Sequence, residues 1–109
     1  RGNVTVIALR GRLDIEGTGT VEEAFHAAAS EAGMPVAVDL AGVEFISSMG
    51  LRMLLTAAHH LHGKKLRLAV FAAPWQVRES LETAGLEQLI PSVPTQQDAL
   101  DLLSRQPAP

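Results

Sequence analysis

Short apolar runs alternate with longer amphipathic segments along almost the whole chain, and this alternation constrains the fold most strongly. Residues 4–9, 36–40 and 66–71 are short and rich in valine, leucine and alanine, as is typical of buried strands. Between and after them lie segments in which apolar residues recur at helical spacing. Strands joined by helices pair in parallel through right-handed crossovers. The sequence, at 109 residues, therefore predicts a single α/β domain with helices packed on a sheet.

The region between the first strand and the first helix is predicted to turn back on itself. Residues 12–15 follow Gly11 and are expected to form a short strand that pairs antiparallel with the opening strand. Thr20, followed three residues later by Glu23, has the pattern of a capping box, which predicts a helix start there and leaves residues 17–19 as a turn. We therefore expect a mixed, mostly parallel sheet of about four or five strands with about four helices.

Periodicity, glycines and prolines define the remaining elements. The apolar stripe of the first helix is predicted at Val21, Ala24, Phe25 and Ala28. The later elements are predicted to be a helix at residues 48–62 ending at Gly63, a strand at 66–71, a helix from 74 to 84, a strand at 89–90 and a helix opening at Thr95. Trp75 is expected to pack on the edge of the sheet, and an exposed interface anchor is the alternative. The domain is expected to span residues 1–105, with a loose tail at 106–109.

Composition argues against several classes of function. A net charge of −3 disfavours nucleic-acid binding, and the absence of cysteine excludes disulfides and thiolate metal sites. The apolar runs are too short to cross a bilayer, so no direct membrane insertion is expected. His59 and His62 are spaced three residues apart but lack the His-Glu-x-x-His pattern of a zinc site. We expect neither a metal nor a cofactor.

Serine catalysis is also disfavoured. Ser48 would need a general base beside it, yet His59, His60 and His62 lie on the same predicted helix, where eleven residues at about 1.5 Å each place His59 about 16 Å away. Only His26 is free to approach, and no Gly-x-Ser-x-Gly motif is present. We therefore expect a binding protein and no enzyme. A small enzyme or ligand binder remains a further hypothesis, which a deep polar pocket would support.

The most informative segment is residues 38–51, where a strand, a turn and two serines precede a helix. Ser47 and Ser48 stand at the helix start, where serine is a preferred cap. Simple capping is therefore one interpretation of both residues. A helix start also tolerates negative charge, because its N–H groups are unpaired and the helix dipole is positive there. A regulatory phosphate is the other interpretation, and the two are compatible.

This segment resembles the motif of the STAS family, which includes sulfate-transporter domains and bacterial anti-sigma-factor antagonists. The family pattern is roughly Asp-Leu-Ser-x-Val-x-Phe-Ile-Asp-Ser-Ser-Gly-Leu. The positions that match it in register are Asp39, Leu40, Val43, Phe45, Ile46, Ser48, Gly50 and Leu51. Residues 11–14, Gly-Arg-Leu-Asp, resemble the family's early Gly-x-Leu-Asp motif. The resemblance covers nearly the whole chain, and it implies that the family's first edge strand is missing or lies ahead of Arg1.

The resemblance implies a partner-switching role in the cytoplasm. In the antagonist branch, the serine equivalent to Ser48 is phosphorylated by a serine kinase that is itself the anti-sigma factor, and a phosphatase resets it. Ser47 stands where the family usually has aspartate, and Met49 where it often has a second serine, so Ser47 is an alternative phosphoacceptor. The partner-binding residues are then expected to be Asp14, Ser47, Ser48, Met49, Gly50 and Arg52.

Alternatives to the phosphoswitch remain at this point. Asp14 is interpreted equally well as a turn residue. STAS domains also serve as constitutive interaction modules of transporters and membrane-associated complexes, and Ser47 in the aspartate position favours this second hypothesis slightly. A homodimer is compatible with either function. Nucleotide and magnesium would belong to the kinase, because this chain shows no Walker pattern and only a broken dinucleotide fingerprint.

Overall fold

Four parallel strands lie side by side in chain order and are connected by helices. The computed structural model describes residues 3–31 and 33–104. The elements are β1 (Thr5–Leu13), α1 (Ile15–Glu31), β2 (Val36–Ile46), α2 (Ser48–Gly63), β3 (Leu68–Phe71), α3 (Trp75–Thr83), β4 (Ser92–Val93) and α4 (Gln96–Ser104). The sheet order is β1-β2-β3-β4. The predicted α/β class, with four strands and four helices, is confirmed. The tail at 106–109 lies outside the described residues.

The sheet carries helices on both faces. One core cluster joins alternate residues of β2, Val36 and Val38 among them, to the apolar sides of α1, α2 and α3. The other cluster lies on the opposite face, where Ala37 packs with Ala99 and Leu103 of α4. β2 is therefore buried on both faces, as its continuous apolar run predicts. Within the described residues, no helix is long and apolar enough to cross a membrane.

The prediction of an antiparallel strand at residues 12–15 is wrong. β1 continues through Gly11, which has a φ of +83° and lies between two irregularities of register. Beyond it, Arg12 pairs with Phe45 and Leu13 with Ile46, still in parallel. Glycine adopts this left-handed conformation without steric cost, so the strand continues past it and does not reverse. All three strand pairings among the described residues are parallel.

The first helix begins at Ile15, so its cap, Asp14, lies six residues before Thr20, the cap that the pattern predicts. Asp14 Oδ1 accepts a hydrogen bond from Gly17 N at 2.8 Å, so Asp14 occupies the capping position. Thr20 is helical, and its hydroxyl donates to Glu16 O at 3.0 Å instead of capping. Residues 17–19 accordingly belong to the helix and form no turn. The helix therefore starts at the carboxylate of Asp14, and the capping pattern at Thr20 falls inside it.

The earlier start changes which face of α1 is buried. Phe25 and Ala29 lie in the core and Val21 packs against it, whereas Ala24 and Ala28 are exposed. The predicted stripe is therefore right for Phe25 and Val21 and wrong for the two alanines. Alanine is small enough to be accepted on either face of a helix, so its spacing carried little information.

Backbone hydrogen bonds close the end of the second helix, and Gly63 does not cap it. Gly63 is its last helical residue, and Lys65 has a φ of +63°. Leu66 N donates to Leu61 O at 2.8 Å, and Lys65 N donates to His62 O at 2.9 Å. This pair of bonds is a Schellman closure, which places the left-handed residue at Lys65 although glycine usually occupies it.

The last strand and the surroundings of α3 and α4 differ in part from the prediction. Residues 89–90 form a turn, with Ile90 N bonded to Leu86 O at 2.7 Å, and Ile90 is fully buried. Their apolar character thus serves the core, and β4 forms only at residues 92–93. Trp75 is 62% exposed, so the expected packing on the sheet is wrong. Asp98 N bonds to Thr95 Oγ1 at 3.1 Å, which confirms the final helix start.

Candidate protein-binding site at the start of the second helix

The hydroxyl of Ser47 forms hydrogen bonds that connect the start of α2 to the end of β1. Ser47 has extended backbone angles, with φ −92° and ψ 176°, as expected of a residue that caps a helix. Its Oγ accepts from Gly50 N at 3.3 Å and donates to Leu13 O at 2.7 Å. Its backbone N donates to the same Leu13 oxygen at 2.9 Å. Both bonding capacities of this half-buried hydroxyl are therefore used within the fold.

Ser48 is placed differently, although it is the next residue. It is the first residue of α2 and is exposed. Among the described residues, no hydrogen bond to its hydroxyl is recorded, in contrast to Ser47. Ser48 lies in the first turn of α2, at the positive end of the helix dipole. At this site the hydroxyl of Ser47 is therefore used in hydrogen bonds within the fold, whereas Ser48 is accessible.

Gly50 allows the first turn of α2 to lie directly on the strands. A Cβ at this position would meet Ile46 Cγ1 at 2.7 Å and both Cβ and the carbonyl oxygen of Leu13 at 3.0 Å, so these neighbours would have to shift. Gly50 is buried. Its part in any binding is consequently to hold Ser48 and Met49 at the surface.

Three apolar side chains near Ser48, either along the chain or across the pairing of β1 with β2, are exposed. Ile15 is 75% exposed, Phe45 40% and Met49 38%. Exposed apolar side chains that cluster on one surface are typical of protein contact sites. The sequence did not predict Ile15 and Phe45 as surface residues of this site, although the pattern of β2 indicated that Phe45 is exposed. Val43 and Ile46 of β2 are buried, which leaves Phe45 on the outer side of the strand as an apolar residue without a place in the core.

Charged residues complete the surface. The guanidinium of Arg12 lies 4.6 Å from the centre of the Phe45 ring, and its Nε is 3.6 Å from Asp14 Oδ2. Arg12 is the cross-strand neighbour of Phe45, so the register of β1 and β2 creates this stack. Arg52 is exposed one helical turn after Ser48. Sequence analysis did not find Arg12, because the pairing that gives it a role joins distant parts of the chain.

Asp14 has a structural role at the start of α1, while its expected part in partner binding stays a prediction. Its Oδ1 caps α1 and its Oδ2 faces Arg12. It also follows Leu13 directly, and Leu13 accepts both hydrogen bonds from Ser47. The structure therefore brings Asp14, Ser47, Ser48 and the first turn of α2 together at one edge of the molecule.

The histidines do not join this arrangement. His59 and His62 are exposed near the other end of α2. His26 and His60 line a separate groove between α1 and α2. Within the described residues, no group of three or more histidine, aspartate or glutamate side chains is arranged to hold a metal ion.

Residues 1–91 match the protein family described as Mlab, STAS domain. This chain belongs to the STAS family. It is similar to the anti-sigma-F factor antagonist RsfB of Mycobacterium tuberculosis, with 27% identity over 97 residues that cover 89% of this chain and 79% of RsfB. Its fold is similar to that of an anti-sigma factor antagonist from Mycobacterium paratuberculosis, with a TM-score of 0.83 and 28% identity over 95% of this chain and 88% of the other.

A transporter domain has the same fold. The STAS domain of a SulP transporter from Vibrio cholerae superposes with a TM-score of 0.77, covering 97% of this STAS chain and 84% of the transporter domain. The identity is 20%, so this similarity shows the common fold alone. The STAS assignment confirms the resemblance that residues 38–51 and 11–14 predicted.

Proposed function

We propose that this STAS domain is an anti-sigma-factor antagonist whose binding of its partner is controlled by phosphorylation of Ser48. The observation that carries the proposal is the division of roles between the two serines. Ser47 holds α2 on β1 through its hydroxyl, whereas Ser48 is exposed at the helix start. The similarity to RsfB, an anti-sigma-F factor antagonist, supports the class of partner.

The hydrogen bonds of Ser47 argue against Ser47 as the phosphoacceptor. A phosphate ester there would remove the hydroxyl proton that is donated to Leu13 O. It would also place negative charge beside that carbonyl oxygen, in a half-buried position. Ser48 carries neither cost. Its phosphate would lie in solvent at the positive end of α2, where anions are stabilised.

The surroundings of Ser48 explain how such a phosphate would release a partner. A protein docking on Ile15, Phe45 and Met49 would remove water from these side chains and from the start of α2. A phosphoserine carries roughly −1.5 to −2 charges at neutral pH. Burying that charge without a matching cation is costly, so the unmodified protein binds and the phosphorylated protein dissociates.

The partner would be an anti-sigma factor that acts as a serine kinase, and a phosphatase would restore binding. The kinase would supply nucleotide and magnesium, so this chain would be a binding protein of the cytoplasm and not an enzyme. Arg12, Asp14 and Arg52 would contribute charge at the rim of the contact, where charges mainly govern partner choice and association rate.

A constitutive interaction module is the second candidate. Ser47 occupies the position of the family's aspartate, and its hydroxyl is already bonded to Gly50 N and Leu13 O, so a kinase that requires the aspartate would not recognise this site. In that case the same apolar surface would bind a fixed partner, as part of a transporter or another membrane-associated complex.

Mass spectrometry of the protein isolated from its native host tests the switch directly. Phosphate is expected on Ser48, lost in Ser48→Ala and retained in Ser47→Ala. The phosphorylated and unmodified forms are then compared for binding to the co-purifying partner by calorimetry. Equal affinities, or a partner bound while Ser48 is never modified, would reject the switch and favour the constitutive module.

A further inference from the structure

An arginine lies one helical turn after the proposed phosphorylation site. Ser48 is the first residue of α2, Arg52 follows it by four positions, and both residues are exposed. Residues spaced by four lie on the same face of a helix, with their Cβ atoms about 5–6 Å apart. Side chains on a helix also lean toward its N-terminus, so the long side chain of Arg52 extends over the turn that carries Ser48. A phosphate on Ser48 would therefore be within reach of the guanidinium of Arg52.

The charge on the exposed face of α2 comes from Arg52. The helix contains no aspartate or glutamate, and Arg52 is its one arginine or lysine. The histidines of α2 lie toward its other end. In the part of the chain that the structure describes, no ion pair is recorded for Arg52. No carboxylate of its own helix would therefore compete with a phosphate for this guanidinium.

The carboxylates of neighbouring segments are not bonded to Arg52 either. The two salt-bridge contacts recorded among the described residues join Arg12 to Asp14 and His26 to Glu22. Arg12, the other arginine near the start of α2, also stacks on Phe45 with 4.6 Å between its guanidinium and the ring centre. Since Arg12 is already engaged by Asp14 and Phe45, Arg52 is the arginine at this surface that is available to a phosphate.

We propose that Arg52 binds the phosphate when Ser48 is phosphorylated and so holds it on the exposed face of α2. This inference rests on the proposed phosphorylation of Ser48 and names the residue that receives the new charge. The guanidinium would donate N–H groups to two phosphate oxygens, the paired geometry in which arginine binds phosphates. The order along the helix is favourable, because an anion four residues before a cation is better placed than the reverse.

This pairing would change more of the contact surface than the modified residue alone. In the unmodified protein, Ser48 and the guanidinium of Arg52 are both accessible. In the phosphorylated protein, Arg52 would be bound to the phosphate, so one modification would add negative charge and also withdraw a cation from any partner. Both residues lie on the outside of α2, so the packing of α2 on the sheet would remain as it is.

Phosphoserine inserted at position 48 by genetic-code expansion tests the pairing without any kinase. A pH titration followed by phosphorus NMR measures the pKa of the phosphate. A nearby cation favours the dianion, so Arg52 is expected to lower this pKa. Arg52→Gln is expected to raise the pKa by about 0.3, which corresponds to an exposed ion pair one helical turn apart. Arg52→Lys keeps the positive charge and is expected to keep most of the lowering.

Two further variants identify the arginine that is responsible. Arg78→Gln removes an exposed arginine of α3 and is the matched control, which is expected to leave the phosphate pKa unchanged. Arg12→Gln is expected to raise the pKa less than Arg52→Gln does, because Arg12 faces Asp14. Thermal unfolding gives a second readout. The inserted phosphate is expected to raise the unfolding midpoint more in the wild type than in Arg52→Gln.

Two results would overturn the inference. One is a phosphate pKa that is the same in Arg52→Gln as in the wild type. The other is a larger rise in Arg12→Gln than in Arg52→Gln, which would assign the phosphate to Arg12. Neither result depends on modification in the host, because the phosphoserine is inserted during synthesis. A native protein that never carries phosphate on Ser48 would reject the proposed switch, whereas the pKa measurements alone decide whether Arg52 binds the phosphate.

Discussion

Ser47 Oγ donates a 2.7 Å hydrogen bond to the carbonyl oxygen of Leu13, a residue 34 positions earlier in the chain. The same hydroxyl caps α2 through Gly50 N. This single contact unites the end of β1 with the start of α2 and leaves the neighbouring Ser48 at the surface. The roles of the two serines can therefore be separated by experiment.

Ser47→Ala is expected to destabilise the protein by about 1 kcal/mol, because it removes a helix cap and a second hydrogen bond. Ser48→Ala is the matched control and is expected to change the free energy of unfolding by less than about 0.5 kcal/mol. Urea unfolding followed by circular dichroism measures both. An equal loss in the two variants would contradict the assigned roles.

Gly50→Ala is expected to destabilise the protein by about 1–3 kcal/mol, because its new methyl group would overlap Ile46 and Leu13. Gly19→Ala is the control. It lies in α1 with no atom within 4 Å of an added Cβ, so it is expected to stabilise the protein by about 0.5–1 kcal/mol. The two thermal unfolding midpoints should move in opposite directions, and a rise for Gly50→Ala would show that the close packing of α2 on β1 is incorrect.

Thr18→Val is expected to stabilise the protein by about 1 kcal/mol. The Thr18 hydroxyl is buried and has no hydrogen-bond partner among the described residues, so its removal relieves a desolvation cost while the side-chain shape is kept. Thr20→Val, two residues later, removes an exposed hydroxyl that bonds to Glu16 O, and little change is expected there. Guanidinium unfolding compares the pair. A loss of stability in Thr18→Val would indicate that its hydroxyl is satisfied in solution.

Ser48→Glu is expected to raise the free energy of unfolding by about 0.3–1 kcal/mol at low ionic strength, because it places negative charge at the start of α2. The gain is expected to shrink in high salt, which screens exposed charges. Thr56→Glu, exposed in the middle of the same helix, provides the control without a dipole contribution. Thermal unfolding at two salt concentrations measures the difference. A destabilised Ser48→Glu would argue that phosphate at this position disturbs the domain itself.

Local patterns in the sequence predicted the parts of the fold that depend on near neighbours. Thr95 was identified correctly as the cap of the final helix, and the paired serines correctly marked the start of α2. Residue types alone produced these predictions, because a capping bond spans only three residues. The same reasoning failed at Thr20, where the pattern was present but Asp14 had already capped the helix.

The sequence by itself determined the alternation of strands and helices, the STAS resemblance and the position of the two serines, because periodicity and capping act over a few residues. Only the tertiary structure decided which serine is accessible, since that depends on the distant carbonyl of Leu13. It also decided that Ile90 fills the core from a turn and that Trp75 remains exposed. A hydrophobic side chain is more stable when it is buried, but the packing of distant segments determines whether the core has room for it.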